Sequence, residues 1–156
     1  MVEIDQVFVH NLPYIGVDNM IDTKVAMVDI KTNRIVTYQD LEHYGSRLAR
    51  YLKSEKQINV GDAVAIIAQD GIDSHLAVGS CLQVGAAVFT LDWCANSGAQ
   101  LLAICKTYKP KLIIHDTGRA NVVNELVRKI PISTMVIGDD VSDYRKLIEF
   151  GEPLGE

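Results

Sequence analysis

Four histidines, three cysteines and a few well-placed aspartates are the side chains of this chain with chemistry in them. His10, His43, His75 and His115 are widely spaced, and Cys81, Cys94 and Cys105 form no Cys-x-x-Cys pair. A zinc site needs such close pairs, because four ligands must meet one ion at about 2 Å. The cysteines are odd in number, irregular in spacing and set among apolar neighbours, which fits small buried thiols. Surface or capping positions account for the histidines, with His43 on the polar side of a predicted helix. Asp92 ends an apolar run, as a phospho-accepting aspartate would, and Asp70 and Asp73 offer carboxylates upstream. That chemistry also needs a lysine after the last strand. Gly138-Asp139-Asp140 stands there instead, and its charges repel phosphate. Asp92 therefore reads as a turn or cap residue.

Glycine-based phosphate binding meets the same difficulty. A dinucleotide site requires several glycines between a strand and a helix, so that backbone can approach the pyrophosphate. Gln69-Asp70-Gly71-Ile72-Asp73-Ser74 supplies one. No Gly-x-x-x-x-Gly-Lys-Ser/Thr loop is present. Asp116-Thr117-Gly118-Arg119 lies between a strand and a helix and offers amides to an anion in principle. A helix cap followed by a solvated arginine explains it more simply. No nucleophile-elbow motif supports a hydrolase triad. No residue is assigned a catalytic, cofactor-binding or metal-binding role.

Elements must position whatever chemistry exists, and 156 residues fit one domain. A domain of that size buries roughly 70% of the surface exposed by its unfolded chain. Lys and Arg total 15 against 20 Asp and Glu, a net charge of −5. Without a basic run to neutralise phosphates, a nucleic-acid partner is excluded. The acidic start lacks an apolar signal segment, and the apolar runs are too short to span a membrane. A cytoplasmic setting is expected.

Residues 24–30 and 34–37 are β-prone, and Lys31-Thr32-Asn33 between them reads as a hairpin turn. Thr37 fits a helix N-cap, with Asp40 completing a weak capping box. Leu41, Tyr44, Leu48 and Leu52 then recur at helical spacing. Asn59-Val60-Gly61-Asp62 reads as a turn, in which Gly61 takes positive φ freely. Residues 63–68 form an apolar run suited to a strand covered on both faces. Residues 70–84 are a helix candidate, with Gly85 as its C′ residue and Gly79 as a small residue where a neighbour could approach. A strand at 86–91, a helix capped by Asn96 or Ser97 and ending before Pro110, and a strand at 112–115 follow. Asp116 or Thr117 would cap the next helix. A strand at 134–137 and a short helix at 142–150 complete the pattern.

Strands alternating with helices imply right-handed crossovers and parallel pairing. The expected class is α/β: an open, doubly wound, mainly parallel sheet flanked by helices, with an N-terminal β-hairpin at an edge or on its own small sheet.

Several stretches, in order, resemble the opening landmarks of the adenylate-forming superfamily of acyl-CoA ligases, luciferases and peptide-synthetase adenylation domains. Thr37-Tyr38-x-x-Leu41 with Ser46-Arg47-Leu48-Ala49 resembles its first block, and Gly61-Asp62-x-Val64-Ala65-Ile66 its Gly-Asp-x-Val strand entry. Val84-Gly85-Ala86-Ala87-Val88, running on to Asp92, resembles the second block; Thr90 and Trp93 stand where proline is frequent. Lys109-Pro110-Lys111-Leu112-Ile113-Ile114 and the tail from Asp143 to Leu154 resemble later segments, leaning toward the fatty acyl, coumarate and luciferase-like ligases.

The resemblance implies an N-terminal arm (1–23), an α/β subdomain of an AMP-binding-type large domain (24–141) and a linker toward a phosphate loop (142–156). It implies a complete enzyme in which a carboxylate attacks the α-phosphate of ATP and the acyl-adenylate passes to CoA or another thiol. ATP, Mg²⁺ and CoA belong to that complete enzyme, and none is expected on this chain alone. The motif positions Thr37, Tyr38, Leu41, Gly61, Asp62, Gly85 and Asp92 are expected to be structural. The expected partner is the remainder of the ligase, or a second copy, docked on an exposed apolar face. A free-standing non-catalytic α/β binding domain is the alternative, and a small nucleotide-binding or receiver-like domain a more remote one.

Overall fold

The computed structural model describes residues 24–91, 98–138 and 140–151. Strand β1 (Val25–Asp29) pairs antiparallel with β2 (Arg34–Thr37) in a sheet of their own, with a bulge between Val25 and Met27. The Asp29 carboxylate closes the turn by accepting from Lys31 N at 2.8 Å and Thr32 N at 3.3 Å, and Asn33 takes φ 56°. Met27 and Val36 face the body of the protein, while Val28 and its cross-strand partner Ile35 face outward.

Helix α1 (Tyr38–Ser54) begins where Thr37 caps it. Thr37 Oγ1 accepts from Asp40 N at 3.1 Å, and Asp40 Oδ2 accepts from Thr37 N at 2.9 Å, which satisfies two amides at the helix start. The stripe read from the sequence faces inward, with Leu48 and Leu52 fully buried and Leu41 and Tyr44 packed at the margin.

Four parallel strands follow: β3 (Ala63–Ile67), β4 (Ala87–Thr90), β5 (Leu112–Asp116) and β6 (Ser133–Ile137). Their order across the sheet is β4-β3-β5-β6. Helices α2 (Ile72–Gln83), α3 (Gly98–Tyr108), α4 (Ala120–Val127) and α5 (Ser142–Phe150) connect or follow them. Alternation along each strand splits the core into two layers. Val64, Ile66, Leu112, Ile114, Met135 and Ile137 pack with α1, α2 and α5 on one face; Ala65, Ile67 and Ile113 pack with α3 and α4 on the other. The step from β3 to β4 runs one way and the step from β4 to β5 runs back. Right-handed crossovers must then use opposite faces, as α2 and α3 do.

Gly85 ends α2 at φ 79°, with Gly85 N donating to Leu82 O at 3.0 Å and Ala86 N to Cys81 O at 3.0 Å, the two bonds of a Schellman cap. At Gly79 the structure departs from the sequence expectation: a Cβ there would meet nothing within 4 Å. The close approach of α1 and α2 lies instead at Gly45, whose carbonyl accepts from the buried Ser80 hydroxyl at 3.1 Å. Helix α5 is anchored in the first core layer by the fully buried Tyr144 and Ile148, and Arg47 Nη1 donates to the Ile148 and Glu149 carbonyls near its C-terminus. No described helix is long and apolar enough to cross a membrane.

Candidate functional site

Parallel pairing puts the carboxyl ends of β3, β5 and β6 on one edge of the sheet. Between β3 and β5 the winding direction reverses. The loops leaving two such strands turn to opposite faces and leave a gap, the usual place for a ligand in an open α/β sheet. A crevice of about 860 Å³ occupies that place. Its lining comes from residues 68–75 after β3, Asp116 at the end of β5 with 117–119 beyond it, Ile137 at the end of β6 with Gly138, and residues 27–32 of the hairpin.

Asp116 organises the floor. Its Oδ2 accepts from Gln69 N at 2.6 Å, joining the two loops that flank the reversal. Its Oδ1 is buried without a hydrogen-bond partner, 3.7 Å from Arg119 Nη1. A Cβ on Gly118 would lie 3.3 Å from that same oxygen, so the loop packs tightly over it. Thr117 Oγ1 donates to Asp140 Oδ2 at 2.7 Å and ties this loop to the one after β6. Gly138 has φ 137° there, and a Cβ would sit 2.8 Å from Asp140 Oδ1, so the turn requires glycine. On the β3 side, Ser74 Oγ accepts from Gly71 N at 3.0 Å, and His75 Nδ1 lies 2.7 Å from Gly71 O.

The lining carries Asp29, Asp70, Asp73 and Asp116 against Lys31 and Arg119. Asp73 is paired with Arg34, Asp116 stands against Arg119, and Asp29 is engaged by the turn amides, so most of these carboxylates are already committed within the protein. Among the described residues no three His, Cys, Asp or Glu side chains gather to hold a metal ion.

Two sequence expectations are corrected here. The Asp116 side chain makes no cap bond; a 3₁₀ turn (Thr117–Arg119) intervenes before α4, and the carboxylate reaches Gln69 instead. Arg119, read as solvated, is only 14% exposed in its side chain and pairs with Asp116. A third correction lies at the end of β5. His43 and His75 are exposed, but His115 is buried, with Nδ1 2.8 Å from Asp116 O. Cys81 and Cys105 are buried free thiols, and burial pushes Cys81 up to about 12.

The motif positions do not meet at the crevice. Thr37, Tyr38 and Leu41 start α1. Gly61 and Asp62 stand at the opposite, amino edge of the sheet. There Gly61 N donates to Gly85 O at 2.8 Å, and Asp62 Oδ2 accepts from Lys111 Nζ at 2.8 Å. That lysine bond, with the Asn59 N–H, lowers the Asp62 carboxyl below its ordinary value. Asp92, Cys94, the Asn96 and Ser97 caps, His10, Asp139 and the segment from Pro153 lie outside the described residues. Gln69, Asp116 and Arg119, which build the floor, carry no local motif. The rule that loops after parallel strands share one edge would have found them.

The chain matches the family described as AMP-binding enzyme over residues 19–154. A curated relative, N-(5-amino-5-carboxypentanoyl)-L-cysteinyl-D-valine synthase of Penicillium rubens, is 24% identical over 119 residues, covering 76% of this chain and 3% of the relative. Among solved structures, an anthranilate CoA ligase in complex with anthranoyl-AMP superposes with a TM-score of 0.74 at 14% identity, over 88% of this chain and 26% of that one. A benzoate CoA ligase from Burkholderia xenovorans gives a TM-score of 0.72 at 15% identity, over 88% of this chain and 27% of that one. The chain thus spans a small fraction of the length of the proteins it matches.

Proposed function

The chain belongs to the AMP-binding enzyme family, and we propose that it is the N-terminal portion of an ATP-dependent acyl-activating ligase that does not catalyse alone. In the complete enzyme a carboxylate displaces pyrophosphate from ATP, and the acyl-adenylate passes to a thiol. CoA is the proposed acceptor, in a cytoplasmic setting, with fatty or aromatic acids as the acyl class. Residues 24–141 are proposed as the α/β subdomain of an AMP-binding-type large domain, after an arm at 1–23. Residues 142–156 are proposed as the linker toward a phosphate loop, although α5 within it packs into the first core layer through Tyr144, Leu147 and Ile148.

One observation carries the reading: the family match runs across the whole crossover pattern whose winding reversal opens the crevice. The crevice lining bears on what this portion contributes. Arg34 and Arg119 are already engaged by Asp73 and Asp116, so the lining offers little to the phosphates of ATP, which need Mg²⁺, lysine and oriented amides around them. No phosphate step is therefore assigned to these residues. Their role is to build and brace one wall of a larger site. Thr37, Tyr38, Leu41, Gly61, Asp62, Gly85 and Asp92 are proposed as structural members of that scaffold.

The test is carboxylate-dependent ATP–pyrophosphate exchange by the purified 156-residue protein with Mg²⁺ and a panel of fatty and aromatic acids. No exchange above the enzyme-free blank is expected. Steady exchange would refute the non-catalytic role. The coding sequence beyond Glu156 provides the positive arm: a glycine-rich, lysine-bearing loop within about twenty residues, the compass of a strand–loop–helix anion site.

A further inference from the structure

Helix α5 is the last helix among the described residues, and its C-terminus is held from far along the chain. Arg47 on α1 donates from Nη1 to the Ile148 carbonyl at 2.8 Å and to the Glu149 carbonyl beside it. These are end carbonyls of a helix that closes at Phe150, so no further helical turn supplies them with amides. A cation there also meets the negative end of the helix dipole. Gly151 follows in the left-handed region at φ 74°, and its N–H donates to Leu147 O at 2.9 Å. A Cβ on Gly151 would lie 3.7 Å from Arg47 Nε and 3.8 Å from its Cδ, so the arginine runs alongside the turn by which the chain leaves the helix.

Packing accounts for the neighbours of Arg47 in the Ser46-Arg47-Leu48-Ala49 block, since Leu48 and Ala49 are buried. It does not account for the arginine, whose bonds span 101 and 102 positions and join the first described helix to the last. Helix α5 has 9 residues, and a helix that short is marginal by itself. Its apolar anchors are Tyr144, Leu147 and Ile148. Apolar burial is non-directional: it selects the face a helix hides but leaves the direction of its free end loosely set. Hydrogen bonds from a planar guanidinium are directional and fix that end.

We infer that Arg47 is a positioning residue that fixes the direction in which the chain leaves this α/β unit, by clamping the C-terminal carbonyls of α5 to α1. In the proposed ligase the phosphate loop lies beyond that exit, so the clamp sets where the loop begins. That purpose rests on the proposed function. The clamp itself is read on this chain without ligand or turnover, so its failure is distinct from failure of the proposed activity.

Nitroxide labels at Glu125→Cys on α4 and Phe150→Cys on α5, on a Cys94→Ser background, report the distance across the sheet to the exit by pulsed electron resonance. Both labelled positions are exposed, and Cys81 and Cys105 are buried. One narrow distance population is expected in the parent. Arg47→Met keeps the length of the side chain and removes its donors. It should add a second, broader population, at least comparable in weight to the narrow one. Arg47→Lys, whose ammonium can serve both carbonyls as Nη1 does, should retain the narrow population. An unchanged distribution in Arg47→Met, with native far-UV circular dichroism, overturns the inference. So does an Arg47→Lys distribution as broad as that of Arg47→Met. If Arg47→Met fails to fold, the guanidinium of the unaltered chain decides. The Arg47 Nη protons should exchange with water at least tenfold more slowly than those of the exposed Arg50. A smaller difference overturns the inference.

Discussion

Tyr144 is, with Cys81, one of the fully buried ionisable groups among the described residues. It is fully buried in α5, and its hydroxyl makes no hydrogen bond of good geometry, although the Asp73 carboxylate lies close enough to act on it. Burial first, and then the nearby Asp73 charge, raise its phenol well above the ordinary value. The sign of the consequence is fixed. Above about pH 10 the unfolded chain releases this proton and the folded chain does not, so stability is lost as pH rises past that point. Tyr144→Phe should remove part of that alkaline loss. At pH 7 it should stabilise by about 1 kcal/mol, because a buried hydroxyl without a well-formed bond leaves its desolvation cost uncompensated. Melting curves at pH 7 and pH 10.5 check both statements. Gly85 makes the contrasting case. An alanine there must adopt positive φ and bring its Cβ to 2.9 Å from a Val60 methyl carbon. Gly85→Ala should cost about 1–2 kcal/mol by urea titration, mostly from the left-handed backbone, because exposed Val60 can yield.

Residues were legible from the sequence where their partners are close along the chain. The Thr37–Asp40 box needs three residues of context, and it formed. Asp116 was misread because its partner Gln69 is 47 positions away. A cap is a local default that such a distant donor can override. Arg119 reads as solvated and His115 as a surface or capping residue for the same reason: burial is set by the layers above them, which no short window contains.

At the scale of elements, alternating apolar runs and helical stripes located the β3 to α5 succession to within a residue or two at most ends. Both layers of the core demand those periodicities. The helices give two opposite predictions. Gly79 lies in the interior of α2 with open space beyond its missing Cβ. Gly79→Ala should therefore stabilise by up to about 1 kcal/mol, seen as a higher urea midpoint with an unchanged slope. Thr37→Ala removes an acceptor for Asp40 N and a donor to Asp40 Oδ2, and should cost about 1 kcal/mol in the same assay. Equal effects in the two variants would mean that α1 and α2 do not draw their stability from these local sources.

For the whole molecule, chain order alone could not say which loops would meet. The parallel sheet decides that, by gathering every strand's carboxyl end on one edge and reversing its winding between β3 and β5. The crevice is thus a property of topology, and the proposal that this chain grips no phosphate by itself is a claim about the residues that line it. The most direct test of that claim is ¹⁵N chemical-shift mapping of the chain during titration with Mg-ATP. The account predicts no saturable shifts at residues 69–75 and 116–119. Saturable, stoichiometric shifts confined to those amides would show that the chain grips the nucleotide itself, and would contradict it.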